Sequence, residues 1–150
     1  MKQFLILIFC GMLAASCSVK NSSTETIQAK DNFSRNLSDF EKDALKMANE
    51  QLTAYNNRDI EAFLAAYSDS VKVYTFPGKL NYTGKEHMRK IYTNLFEKYT
   101  KLDCSIVSEI VHGNKVVHEE SVVFDNAEKP VHAVCVYVVE DGKITEAHFL

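Results

Sequence analysis

Residues 55–92, YNNRDIEAFLAAYSDSVKVYTFPGKLNYTGKEHMRKIY, make the chain reverse several times within a short length, and this limits the fold more than any other stretch. The polar turn Asn56-Asn57-Arg58-Asp59 separates two helical patterns, and the β-branched run at residues 71–75 reads as a short strand. Pro77-Gly78 breaks the chain again before another helix opens at Thr83-Gly84. Two antiparallel helices, one strand and a crossing helix cannot bury their apolar faces alone. The strand-rich residues from Asp103 onward supply a sheet, and helices closed over that sheet make a cone able to hold a ligand.

The helices carry their own start signals. Ser38-Asp39-Phe40-Glu41 is a capping box, in which the Ser and Glu side chains satisfy helix amides that lack a partner. Behind it Phe40, Ala44, Met47, Ala48, Gln51, Leu52 and Tyr55 recur at helical spacing as one buried stripe. Asp59 can cap a second helix bearing Ile60, Phe63, Leu64 and Tyr67. Thr83 to Glu86 reads as a second capping box, and Met88, Ile91, Tyr92, Leu95, Phe96 and Tyr99 form the core face of the helix it starts. In the short strand Val71, Val73 and Thr75 point inward.

From Asp103 the sequence alternates as a meander with strands at residues 103–112, 115–125, 130–140 and 143–149. Gly113-Asn114 and Asp141-Gly142 are two-residue hairpin turns, and residues 126–129 form a longer one. Turn lengths set the register, and register decides which side chains share a face. Pairing His112 with Lys115 puts Glu109 opposite His118 and Val107 opposite Glu120. Pairing Phe124 with Val131 puts Glu120 opposite Cys135, and pairing Glu140 with Lys143 puts Cys135 opposite His148. One face then carries Glu109, His118, Glu120, Cys135, Tyr137 and His148, while the other carries Cys104, Ile106, Ile110, Val117, Val123, Val134, Val136 and Phe149.

The first part of the chain differs. Lys2 precedes an almost continuously apolar stretch at residues 4–15, and Ala14-Ala15-Ser16-Cys17 closes it with small residues. Too short for a membrane helix of about 20 residues, it reads as a signal peptide over residues 1–16. The residues before Cys17 resemble a bacterial lipobox; the expectation is a lipid-anchored protein of the cell envelope, acylated at Cys17 and facing the periplasm or the outer membrane. Ordinary secretion with cleavage nearby is the alternative. Residues 17–38 are too polar to bury surface that offsets their ordering entropy, and read as a tether. The folded domain is expected at residues 39–150.

Composition removes several classes. A net charge of −3 without a basic patch argues against nucleic acid as a partner. Cys10 lies in the signal and Cys17 would be acylated, so only Cys104 and Cys135 remain; on non-neighbouring strands they read as buried free thiols. No cluster has metal-site spacing, no glycine-rich phosphate loop exists among five glycines, and no cofactor is expected. Ser121 lacks a strained turn and Cys135 lacks an activating neighbour, which leaves no nucleophilic triad.

Residues 40–150 resemble the nuclear transport factor 2-like superfamily, also called SnoaL-like or ketosteroid-isomerase-like. The residues that carry the likeness are Tyr55-Asn56-Asn57-Arg58-Asp59, Phe63 with Tyr67-Ser68-Asp69, Val71 to Thr75, Gly84-Lys85-Glu86 with Tyr92, and Asp141-Gly142-Lys143-Ile144. The resemblance implies an α+β cone of three helices on a curved, mainly antiparallel sheet that commonly pairs into homodimers. It places the isomerase's general base at Thr75, its oxyanion-hole tyrosine at Gln51 and its protonated acid near Cys135, keeping only a supporting tyrosine as Tyr92. Threonine cannot hold a proton as a base near neutral pH, and an amide with a thiol is a weak oxyanion hole, so ketosteroid isomerase chemistry by that route is not expected.

The same alignment turns Cys135, Tyr137, His118 and Glu120 into the cone. The expected ligand-binding residues are Gln51, Tyr55, Phe63, Thr75, Tyr92, Phe96, Cys135 and Tyr137, around a small, largely apolar molecule of unknown identity. His118 and Glu120, two apart on one strand face, are the candidate catalytic pair for isomerisation, dehydration or cyclisation. Their alternative is a solvated or dimer-facing pair on a sheet surface, in a module whose cone is filled by side chains.

Overall fold

The computed structural model describes residues 36–125 and 129–150. Its elements run α1 (Asp39–Asn57), α2 (Ile60–Ala65), β1 (Tyr67–Thr75), β2 (Lys79–Thr83), α3 (Lys85–Lys98), β3 (Asp103–His112), β4 (Lys115–Val123), β5 (Val131–Glu140) and β6 (Lys143–Phe149). The signal segment, Cys17 and most of the polar tether lie outside the described residues. The six strands form one curved sheet in the order β2-β1-β6-β5-β4-β3, in which only β1 and β6 run parallel. Three helices on a mainly antiparallel sheet give the expected α+β class.

The capping box at Ser38 forms in full, and Glu41 does more than cap. Its Oε1 accepts the Gly113 N–H at 3.1 Å, tying the start of α1 to the β3–β4 turn. This draws Glu41 inward, 5% exposed, and turns Phe40 outward at 59%, so Phe40 does not belong to the buried stripe. Ala44, Ala48 and Gln51 do.

The polar turn after α1 is a built junction. Arg58 adopts the left-handed conformation that ends α1 and donates to the Leu102 carbonyl at 3.1 Å. The Asn56 side-chain amide donates to the Cys104 carbonyl and its oxygen accepts the Cys104 N–H, both at 2.8 Å. An asparagine thus bonds to the start of β3 much as a neighbouring strand would, fixing where the sheet meets the helices.

Three local expectations change. Tyr67 opens β1 instead of closing the second helix, because β6 recruits this backbone: the Ile144 N–H donates to the Ala66 carbonyl and Tyr67 pairs with Ile144. After the Pro77-Gly78 break a hairpin strand not expected from the sequence, β2, pairs with β1 from Thr83 to Lys79. Since Thr83 is held in that ladder opposite Lys72, the Thr83 capping box does not form, and Gly84 at φ 93 caps α3 without a side-chain bond.

The register changes in three places. β3 pairs as expected from His112 to Glu109, then a bulge at Val107 puts Ile106 opposite Glu120 and turns Cys104 and Ile106 to the inner face. β4 and β5 pair two residues out of the expected register, His118 opposite Cys135 and Glu120 opposite Ala133; an even shift leaves every face unchanged. A second irregularity, between Val138 and Val139, sets Phe149 opposite Cys135 and His148 opposite Val136. Phe149 therefore joins the inner face and His148 leaves it, to stack on Tyr74 with ring centroids 4.6 Å apart.

Candidate functional site

The inner face of the sheet and the undersides of α1, α2 and α3 line a half-open cavity of about 270 Å³. Its helical wall comes from Gln51, Leu52, Tyr55, Phe63, Ile91, Tyr92 and Leu95, and its sheet wall from Cys104, Glu120, Val122, Ala133, Tyr137 and Phe149, with Phe124 and Val131 completing it. The aromatic residues that helical spacing grouped together form one interlocked cluster. Phe63 lies at its centre, 4.3 Å from Tyr92 and 5.1 Å from Tyr67 between ring centroids, with Tyr55 and Phe96 at 6.2 and 5.9 Å. Tilted and edge-on contacts of this kind hold the wall rigid.

Glu120 is the one carboxylate on that wall. It is 7% exposed, and its Oε1 accepts the Tyr137 hydroxyl at 3.0 Å. The Tyr137 oxygen in turn accepts from Gln51 Nε2 at 3.1 Å, and Gln51 Oε1 accepts from the Tyr67 hydroxyl at 3.2 Å. Every donor in this chain of three hydrogen bonds points toward Glu120, and its Oε2 is left without a partner among the described residues. Burial pushes the Glu120 carboxyl above the ordinary glutamate range, and the Tyr137 bond pulls part of the way back. A carboxyl shifted in this direction holds its proton to higher pH than an exposed glutamate does.

His118 stands behind Glu120 and does not reach the cavity. It is fully buried, with Nε2 3.0 Å from Glu109 Oε2 and Nδ1 4.0 Å from Glu120 Oε1, too far for a hydrogen bond. Nδ1 is a buried nitrogen with no partner. Burial lowers the His118 pKa from the ordinary histidine value, against the opposing pull of Glu109.

The remaining expected site residues divide in the same way. Gln51, Tyr55, Phe63, Tyr92 and Tyr137 line the cavity. Phe96 packs against Tyr55 and Phe63 as part of the cluster, and Cys135 is fully buried opposite His118; neither is among the lining residues. Thr75 is exposed at the end of β1, where its hydroxyl accepts from Asn81, and it lies outside the cavity. Sequence spacing turns Cys104 and Phe149, which line the cavity, to the opposite face, and does not connect Tyr67 or Glu109 with the site. Tyr67 reads as helical although it shares strand parity with Val71 and Val73. Glu109 was placed opposite His118 but not connected to the site. Among the described residues no group of three or more His, Cys, Asp or Glu side chains is placed to hold a metal ion, and no helix is long and apolar enough to cross a membrane.

The profile of the SnoaL-like domain matches residues 48–147, which run from within α1 into β6 and include every cavity-lining side chain except Phe149. The chain belongs to the SnoaL-like domain family. No curated protein matches it. Among solved structures, this SnoaL-like domain is similar to an uncharacterised cystatin-fold protein from Novosphingobium aromaticivorans, with a TM-score of 0.65 and 23% identity over 71% of this chain and 97% of that one. A protein from Jannaschia sp., provisionally described as a SnoaL-like polyketide cyclase, has a TM-score of 0.65 at 14% identity over 77% of this chain and 90% of that one. An epoxide hydrolase of M. tuberculosis, described as LEH-like, has a TM-score of 0.62 at 17% identity over 72% and 81%. At these identities the likeness is one of fold.

Proposed function

We propose that this SnoaL-like domain binds a small, largely apolar molecule in its cavity, with Glu120 as the polar anchor and without ketosteroid isomerase chemistry. The observation that carries this reading is the unpartnered Oε2 of a buried carboxyl set in an otherwise aromatic and aliphatic wall. A pocket with one convergent polar group fixes orientation through that group and draws affinity from the apolar surface around it. An empty apolar cavity of about 150 Å³ holds benzene, so about 270 Å³ suits a two-ring skeleton. Both ends of the Gln51 amide are already engaged by tyrosines, which supports leaving isomerase chemistry out.

A second reading is favoured by the raised carboxyl. Glu120 would act as general acid and base in an isomerisation, dehydration or cyclisation, with His118 acting through it. The sheet surface opposite the cavity exposes Ile110 at 63% and Val123 at 40%, which supports homodimerisation through that surface. The sequence around Cys17 supports an envelope lipoprotein, and the mass of the mature N-terminus tests it: an unmodified start after Cys17 removes the anchor.

Calorimetric titration with 2-naphthol and naphthalene tests the ligand reading. Wild type should bind both and prefer 2-naphthol; Glu120→Leu should lose that preference, and Ala133→Phe should abolish binding of both. Absence of binding in wild type, together with no co-purified small molecule by native mass spectrometry, overturns the proposal.

A further inference from the structure

We propose that Glu109 and His118 form a proton path along the inner face of β3 and β4, exchanging a proton between outside water and the Glu120 carboxyl while a ligand occupies the cavity. The proposal rests on the reading of Glu120 as the ligand-facing group.

The argument starts from the bare nitrogen. A buried structural histidine satisfies both ring nitrogens, because leaving one dry and unbonded is costly. His118 is fully buried and satisfies only Nε2, against Glu109 Oε2 at 3.0 Å. To donate to that carboxylate Nε2 must carry the proton, so in the neutral ring Nδ1 presents a lone pair. That lone pair faces Glu120 Oε1 at 4.0 Å. A lone pair and a carboxylate oxygen repel unless a proton lies between them. Glu120 is the group able to supply one, and closing the gap needs a carboxyl movement of about 1 Å to reach hydrogen-bond length.

The outer end is open. The Glu109 side chain is 34% exposed whereas His118 is sealed, so the three groups run from solvent to cavity along one face of β3 and β4. Around His118 the other titratable neighbours are Tyr137, whose ring meets the imidazole edge at 5.7 Å, and Cys135 opposite it on β5. Burial keeps both neutral. From α1 the buried residues over the sheet are Ala44, Ala48 and Gln51, with Glu41 at the distant β3–β4 turn. The carboxylates at either end are therefore the groups that exchange protons with the ring.

The step balances without a co-reactant. The Glu120 O–H bond breaks as Nδ1–H forms, the Nε2–H bond breaks as Glu109 Oε2 takes that proton, and Glu109 releases it to water. Loading runs in reverse. The arrangement follows the logic by which a carboxylate on one ring nitrogen fixes the tautomer and makes the other a base. His118 is here a positioning and relay residue, not one that touches ligand.

The test is an NMR titration of the full chain labelled with ¹⁵N-histidine and ¹³C-glutamate, without ligand. In wild type the His118 ring and the Glu120 carboxyl should titrate as one coupled pair with shared midpoints. Glu109→Gln should lower the His118 midpoint by about 1–3 pH units and move the Glu120 midpoint with it. A Glu120 midpoint identical in wild type, Glu109→Gln and His118→Gln overturns the proposal. Glu109→Gln, at a partly exposed position, carries the test alone if His118→Gln does not fold. With 2-naphthol bound, exchange of the His118 proton with solvent should slow at least tenfold in Glu109→Gln; an unchanged rate also overturns it. The ligand-free titration can fail while 2-naphthol still binds, so it separates this proposal from the ligand reading.

Discussion

The Gln51 side-chain amide donates to the Tyr137 hydroxyl at 3.1 Å, joining α1 to β5 across 86 residues of sequence. The same amide accepts from Tyr67 through its oxygen, so one side chain holds helix, first strand and central sheet together inside the wall. Both tyrosines are buried at 3% exposure and lose a partner if the amide is removed. Gln51→Leu should therefore cost about 2–6 kcal/mol, from two buried hydroxyls each left short of a bond at about 1–3 kcal/mol. Urea unfolding checks this; a loss below about 0.5 kcal/mol, roughly the noise of such measurements, would show that water replaces the amide.

Glu120 and His118 should give stability opposite dependences on pH. A carboxyl with a raised folded pKa binds protons more tightly folded than unfolded, so its contribution is present below about 4.5, the unfolded value, and is lost as pH rises toward the folded value. A histidine with a lowered folded pKa works the other way: the unfolded ring protonates first, so stability falls as pH drops below 6.5. Glu120→Gln removes the first dependence and leaves the second. The variant should lose stability on acidification more steeply than wild type between pH 6.5 and 4.5, and should gain on wild type as pH rises toward neutral. Parallel stability curves from urea unfolding across this range would contradict the buried, raised carboxyl.

Helices and strands were readable because each repeats a local period, and two-residue turns placed the hairpins at Gly113-Asn114 and Asp141-Gly142. Bulges have no such signature. One extra residue at Val107 leaves the composition of β3 unchanged but reverses every side chain beyond it, which is why Cys104 and Ile106 were assigned to the wrong face. The irregularity after Val138 did the same to His148 and Phe149. His118 and Glu120 kept their face only because the β4–β5 error was an even number of residues. The Tyr67–Gln51–Tyr137–Glu120 chain was unreadable for another reason. It joins three strands and a helix, and no local pattern marks contacts made only when the sheet closes. β2 escaped because a five-residue edge strand with most positions exposed has no apolar alternation to find.

Phe63 couples stability to cavity size. Its ring is 1% exposed and touches Tyr55, Tyr67, Tyr92 and Phe96, yet it also forms part of the cavity wall. Phe63→Ala should cost about 3–5 kcal/mol, the usual range for such truncations. Part of the void opens into the existing cavity, so the variant should accept a three-ring hydroxyarene that wild type excludes. Thermal unfolding with and without each probe measures both effects. Loss of stability without any change in preferred ligand size would place Phe63 in the core alone.

The thiols of Cys104 and Cys135 should report the cavity through their own reactivity. Cys104 and Cys135 are free, and burial with Glu120 nearby pushes the Cys104 pKa up to about 12, while Cys135 is raised well above the ordinary thiol value. Only thiolate reacts, and its fraction rises tenfold per pH unit below the pKa. Modification of Cys104 by methyl methanethiosulfonate should thus be slow at neutral pH and keep accelerating beyond pH 9, where an ordinary cysteine of pKa about 8.5 has levelled off. Cys104 lines the cavity and Cys135 does not, so 2-naphthol should slow the first without affecting the second. Cys135, fully buried between β4 and β6, should react only as fast as the domain unfolds. Peptide mass spectrometry resolves the two sites. Equal rates at both cysteines, or Cys104 modification indifferent to a probe that binds, would mean that the space beside Glu120 is not where the ligand sits.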